Sequence, residues 1–206
     1  MVLTIVRDAK VPFPAYNIKS KTRSKTELRE YVASCAKSWV MYQQRQGVRG
    51  AVMLDIDDTL IDGRESVAFG FEFMRDLYNT LHLYFPIHIV TARPDDEHGN
   101  VMLLLTKRGF CIPPDRLHML PAKLYGLSYS HVEDFKWERY KYIEKLHNLV
   151  LLRMGDKLWD VARLQSLRYT KEGGTGDMTH ITDSECYIFT DPGMQSCMSC
   201  KLPGER

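Results

Sequence analysis

The stretch that decides the fold is "AVMLDIDDTLIDG", residues 51–63. Its first part, Ala51 to Leu54, is apolar without interruption and reads as a strand buried on both faces. The strand pattern ends on Asp55, Asp57 and Asp58, followed by Thr59. Like charges at the end of a buried strand have two physical readings. Either they form an acidic turn in water, or they form a site in which a cation offsets their repulsion.

Working outward, strand and helix patterns alternate. Residues 65–83 read as a helix, with Phe69, Phe73, Leu77 and Leu81 recurring at i, i+4 spacing. "PIHIVT" (86–91) is a second strand, and 97–109 a helix closed by Gly109. "RLHMLP" (116–121) is a short third strand, and 132–148 a helix with Lys136 in its first turn. "LVLLRMGD" (149–156) is a fourth strand, with a helix over 158–167 behind it. "ECYIFT" (185–190) is read as a fifth strand, and "KEGGTGDMTH" (171–180) as a flexible loop. Such alternation predicts a three-layer α/β sandwich around a Rossmann-like parallel sheet. Upstream, Ser24 and Glu27 have capping-box spacing for a helix that stops before Gly47. Residues 1–23, with Pro12, Pro14 and the basic run "KSKTRSK", read as an irregular arm. The expected organisation is an arm and helix over 1–48 and a main domain over 49–206.

Composition narrows the class. The chain has 206 residues, 44% hydrophobic and 26% charged, the profile of a globular domain with a sizeable core. A net charge of +2 does not by itself indicate a nucleic-acid binder. The N-terminus carries no apolar signal-peptide core, and no apolar run reaches the ~18–20 residues of a membrane span. Five cysteines do not suggest a disulfide framework. A cytoplasmic, reduced protein is expected. Cys197 and Cys200 have zinc-knuckle spacing with Cys186 and His180 nearby, but zinc sites usually show two such pairs. A loose tail is the expectation there.

In open α/β sheets ligands bind beyond the carboxyl ends of the strands. Polar residues stand at that end of the other strands too: Thr91 after the second and Asp156 after the fourth, with Lys136 on the intervening helix. Asp55, Asp57 and Asp156 together call for a cation, and oxygen ligands beside a phosphate select Mg²⁺. The hydroxyl of Thr91 and the ammonium of Lys136 suit phosphoryl oxygens. Lys136 is preferred to Arg139, one turn later. Asp160, one turn after Asp156, is placed to orient Lys136 or a metal-bound water. Arg93 either clamps substrate phosphate or pairs with Asp95 or Asp96. The aromatic side chains of Trp137, Tyr140 and Tyr142 are read as packing.

This set resembles the haloacid dehalogenase-like (HAD) hydrolase superfamily, whose motifs are D-x-D-x-T, a Ser/Thr, a Lys and an acidic G-D-x-x-x-D element. Here they stand as Asp55-Ile-Asp57-Asp58-Thr59, Thr91, Lys136, and Gly155-Asp156 to Asp160, in order, over more than half the chain. "DIDDT", "VTARP" and "GDKLWD" are most similar to the acid-phosphatase-like subgroup (class B, subfamily IIIB). The resemblance implies Asp55 as nucleophile, Asp57 as proton donor and then base, and Thr91, Arg93 and Lys136 at the phosphate. It implies Mg²⁺ held by Asp55, Asp156 and the backbone carbonyl of Asp57, with Thr59 and Asp160 in support. Neither 60–87 nor 94–135 has room for an independent cap domain of the usual ~50 residues or more. The expected function is a Mg²⁺-dependent phosphomonoesterase acting on nucleotides or other small phosphate esters. The alternatives are a phosphatase of nucleic-acid ends or phosphoproteins, and a non-enzymatic HAD-like binding scaffold.

Overall fold

The computed structural model describes residues 4–5, 25–62, 71–157, 160, 187–191 and 194–201. In chain order the elements are β1 (Thr4–Ile5), α1 (Lys25–Arg45), β2 (Ala51–Leu54), α2 (Glu72–Leu81) and β3 (Ile87–Pro94). There follow α3 (His98–Lys107), β4 (Leu117–Leu120), α4 (Tyr129–His147), β5 (Val150–Gly155), β6 (Tyr187–Asp191) and β7 (Met194–Lys201). The strands form one sheet in the order β1-β6-β7-β5-β2-β3-β4. From β7 to β4 every neighbouring pair is parallel. β6 runs antiparallel to β7 and carries β1 with it.

β2 lies at the centre of the five parallel strands, and the alternation of its side chains separates the two outer layers. Val52 and Leu54 pack with Trp39 and Val32 of α1, Met74 and Leu77 of α2, and Val101 and Leu105 of α3. Ala51 and Met53 pack on the other face with Phe135, Tyr140 and Ile143 of α4. Three layers result, as the alternating pattern predicts. Trp39 and Val40 of α1 are almost fully buried, so this helix belongs to the core layer. Its stop is where glycine permits it: Gly47 has φ +75, a backbone state that costs a side-chain-bearing residue strain.

The departures from expectation are local. α2 begins at Glu72, and its buried face is Met74, Leu77, Tyr78 and Leu81, which keeps Leu77 and Leu81 of the expected line but not Phe73. Phe73 is half-buried and stacks on Phe71 instead. α4 begins at Tyr129, so Lys136 sits two turns into the helix, not in its first turn. The tail expected to be loose is β7, and two residues of the expected arm form β1. In the sequence, the Pro-Gly dipeptide at 192–193 is a turn signal of the kind that marks hairpins. Residues 63–70, the 158–167 segment apart from Asp160, the 171–180 loop, His180 and Cys186 lie outside the described residues. No independent domain interrupts the described segments between the strands. No helix there is long and apolar enough to cross a membrane.

One polar feature lies within the α4 layer. His88, at the start of β3, is buried and contacts two other imidazoles. Its Nδ1 is 3.0 Å from Nε2 of His118 on β4, and its Nε2 is 2.9 Å from Nε2 of His147 on α4. A neutral imidazole has one donor and one acceptor nitrogen, so the three rings form a chain. Burial, then the neighbouring imidazoles, pushes His88 down to about 4. Burial, then Arg139, pushes His118 down to about 4. Burial, then Arg116, lowers His147. In the unfolded chain these groups protonate near the ordinary value of ~6.5, so below it the unfolded state binds the extra protons. The chain's stabilisation is therefore present above that pH and is lost as the pH falls towards 4. Buried carboxylates titrate in the opposite sense, so the measurement is a difference. The drop in unfolding free energy between pH 7 and pH 5 is expected to be smaller in His118→Gln than in wild type, by about 2 kcal/mol. Urea denaturation of both proteins at the two pH values measures it, and equal drops would dismiss the effect.

Candidate active site

The order of the sheet creates the site. The chain passes from β2 outward through β3 to β4, then returns to lay β5 on the other side of β2. That reversal opens a crevice at the carboxyl ends of β2 and β5. Asp55 follows β2 directly, and its backbone N–H donates to the Met154 carbonyl of β5 at 3.0 Å. The chain then turns tightly. The Ile56 carbonyl accepts from the N–H groups of Thr59 (3.2 Å), Leu60 (2.8 Å) and Ile61 (3.1 Å). Asp58 takes φ 52 in that turn, a left-handed state that aspartate tolerates better than most residues. Thr59 is buried beneath it.

β3 brings Thr91 and Arg93. Its pairing with β4 shifts between Thr91 and Pro94, an irregularity of the kind that re-aims side chains beside a site. The buried Thr91 hydroxyl accepts the Arg93 backbone N–H at 3.2 Å and keeps its own hydrogen to donate. α4 brings Lys136, 2% exposed, whose ammonium donates to Asp55 Oδ1 at 2.6 Å and to Asp160 Oδ1. β5 leads into Asp156. Asp160 then folds back, its Oδ2 accepting the Lys157 backbone N–H at 2.8 Å. Close approach makes Gly155 necessary here, because a Cβ would overlap both Cβ and the carboxylate of Asp160.

Asp55, Asp156 and Asp160 are all buried, with carboxylate oxygens within 4.8 Å of one another. Burial first, then the other aspartates, raises Asp55 well above the carboxylate range against the pull of Lys136. Burial, then Asp160, pushes Asp156 up to about 7, with partial relief from Lys157. Burial lowers Lys136, but the carboxylates of Asp160 and Asp55 more than reverse this and hold it above its ordinary value. Three buried carboxylates facing one buried ammonium leave an uncompensated negative charge. A divalent, oxygen-seeking cation fits that deficit. Asp160 already accepts from donors at both oxygens. Asp55 and Asp156 are therefore the better placed ligands, with Asp160 as their support.

The expected residues do not all gather in one way. Lys136, rather than Arg139, reaches Asp55; the Arg139 guanidinium lies over the rings of Phe135 and Tyr142 at 5.9 and 5.6 Å. Arg93 does not pair with Asp95 or Asp96. It pairs with the Asp57 side chain, Nε to Oδ2 at 2.9 Å and Nη2 to Oδ1 at 2.6 Å. Asp95, its expected partner, accepts the Ala122 N–H instead. The Asp57 side chain thus lies with Arg93 and not in the carboxylate trio. Asp58, in the turn after Asp57, is buried and adds to the upward push on Asp156. Tyr140 and Trp137 pack and stack as expected, whereas Tyr142 is about half exposed. A groove between α1 and α2, crossed by the Lys37–Asp76 ion pair, gathers no comparable set.

No protein-family model and no curated protein matches the chain. Solved structures do. It is similar to the class C acid phosphatase from Bacillus anthracis, with a TM-score of 0.58 and 15% identity over 72% of this chain and 73% of that one. The same enzyme with tungstate bound superposes with a TM-score of 0.57 and 15% identity, over 74% of this chain and 75% of that one. At that identity the likeness is one of fold: a mixed α/β, Rossmann-like architecture.

Proposed function

We propose that the chain is a Mg²⁺-dependent phosphomonoesterase that works through an aspartyl-phosphate on Asp55, with nucleotides or other small phosphate esters as substrates. The observation that carries this reading is the contact of buried Lys136 with Asp55, in a crevice where Asp156 closes the other side. The fold shared with acid phosphatases supports it.

The proposed chemistry follows from the residues. An Asp55 oxygen forms a bond to phosphorus as the bond to the leaving oxygen breaks. Asp57 gives that oxygen a proton and becomes a carboxylate. It then takes a proton from the water that attacks phosphorus, releasing inorganic phosphate and restoring Asp55. Thr91 and Lys136 hold the phosphoryl oxygens. Phosphoryl transfer depends mostly on such positioning and electrostatics. Mg²⁺ held by Asp55, Asp156 and the Asp57 carbonyl would supply charge neutralisation, letting an anionic carboxylate meet an anionic ester. Thr59 supports the turn, and Asp160 fixes Lys136. Arg93 reaches phosphate only by giving up its contact with Asp57.

Hydrolysis of 4-nitrophenyl phosphate should require Mg²⁺ and stop with chelator. Asp55→Asn should lose turnover by at least ~10³-fold while keeping the wild-type fold by circular dichroism. Metal-independent turnover, or an active Asp55→Asn, would remove the mechanism. A panel of nucleotides, phosphosugars, phosphopeptides and end-phosphorylated oligonucleotides tests the substrate class; preference for either polymer would replace the small-molecule reading. The backing of Lys136 has its own test. Gly155→Ala must displace Asp160, and a fall in kcat/KM of about 10–100-fold is expected. Wild-type rates in that variant would show that Asp160 plays no part.

A further inference from the structure

The contact between Arg93 and Asp57 is a complete guanidinium fork, with two N–H groups on the two oxygens of one carboxylate at 2.9 and 2.6 Å. Such pairs are among the stronger hydrogen-bonded contacts and fix a carboxylate in rotation as well as position. The fixing matters because the Asp57 side chain is 41% exposed and would otherwise sample several rotamers in water. Arg93 is itself well anchored. Its side chain is 25% exposed, its backbone N–H is tied to Thr91 Oγ1, and the following Pro94 restricts its backbone to extended conformations. The residue that presents a hydroxyl to the pocket and the residue that grips Asp57 are thus set by one short piece of β3.

We propose that Arg93 is a positioning residue for Asp57, holding its carboxylate in the orientation from which it activates water against the aspartyl-phosphate. This rests on the reading of Asp55 as nucleophile and Asp57 as proton shuttle. A carboxylate has about four lone-pair sites, so a forked Asp57 keeps sites free to accept a proton from water. When that proton moves to Asp57, hydroxide adds to phosphorus, the phosphorus bond to Asp55 breaks, and its electron pair returns to the Asp55 carboxylate. During ester cleavage the flow is reversed: the proton leaves Asp57 for the departing oxygen, and one arm of the fork must loosen while Asp57 carries it. Loss of Arg93 therefore weighs most on breakdown of the phosphoenzyme.

The test is rapid mixing of the full chain with Mg²⁺ and 4-nitrophenyl phosphate, whose good leaving group needs little protonation. In Arg93→Gln a burst of nitrophenol is expected, followed by turnover about 10–100-fold below wild type. The phosphoryl group should accumulate on the peptide that bears Asp55, read by mass spectrometry after quenching. Arg93→Lys, which keeps the charge but not the fork, should fall between the two. Burst amplitude reports the folded fraction, and the rate constants do not depend on it, so partial misfolding does not mimic the effect. A raised KM with unchanged kcat and no accumulation would assign Arg93 to phosphate binding and overturn the proposal. So would a fall in kcat without accumulation. Asp57→Asn is run alongside. If it too shows no phosphoenzyme, the reading of Asp55 and Asp57 fails first; if it accumulates phosphoenzyme and Arg93→Gln does not, only the role of Arg93 fails.

Discussion

Asp55, Asp156 and Asp160 could not stay ionised together in a buried crevice without positive charge, and Lys136 is the buried cation that the chain itself supplies. Removing one partner from a buried ion pair generally costs about 3–5 kcal/mol, because the other is left uncompensated. The arrangement of the end of the sheet answers to this contact. α4 must pass close enough to β2 for a lysine two turns into the helix to reach Asp55. Asp160 must fold back over Gly155, where any side chain would exclude it. Asp156 must stand beside both, which the parallel pairing of β5 with β2 secures.

The balance is incomplete. Asp156 is pushed up to about 7 and Asp55 is raised as well, so protein charges alone do not settle the carboxylates. A structure selected for stability alone would place apolar side chains here. Stability is drawn from other parts of the molecule, from the α1, α2 and α3 layer on one face and from the packing of α4 on the other. The histidine chain lies towards the amino ends of the strands, away from the crevice. The imidazoles resist charging while the crevice gathers charge, and on β3 His88 precedes Thr91 by three residues.

How much of this was legible depends on the range of the interaction. β2 and the acidic turn were readable because both signals are local: an uninterrupted apolar run, then carboxylates. Thr91 and Asp156 followed from the rule that strand ends converge. Lys136 was readable in identity, but its helix began earlier than the pattern suggested because Tyr129 and Ser130 carry no apolar periodicity. β7 was obscured by small and polar residues, Ser196, Cys197, Ser199 and Cys200, which do not spell a strand; the one cue nearby was the Pro-Gly dipeptide at 192–193 in the sequence. The fork was not readable at all. Asp57 and Arg93 are 36 residues apart, and their meeting depends on how β3 bends after Thr91. The histidine chain joins β3, β4 and α4 and has no local signature either.

These two sets of missed contacts have a common cause. A motif records which residue types a reaction needs, and it can be read from spacing along one strand or turn. It does not record what restrains those residues, because restraint comes from neighbours across the sheet. Asp57 shows the difference. Its place two residues after Asp55 identifies it as a candidate proton shuttle, yet a 41% exposed carboxylate on a turn has no fixed direction of its own. Direction comes from Arg93, whose backbone is held by Thr91 and Pro94. The proposed shuttle is therefore a property of two strand ends, and the irregular pairing of β3 with β4 is part of it. The bend that interrupts the ladder places Thr91 in the crevice and, two residues later, turns a guanidinium onto Asp57.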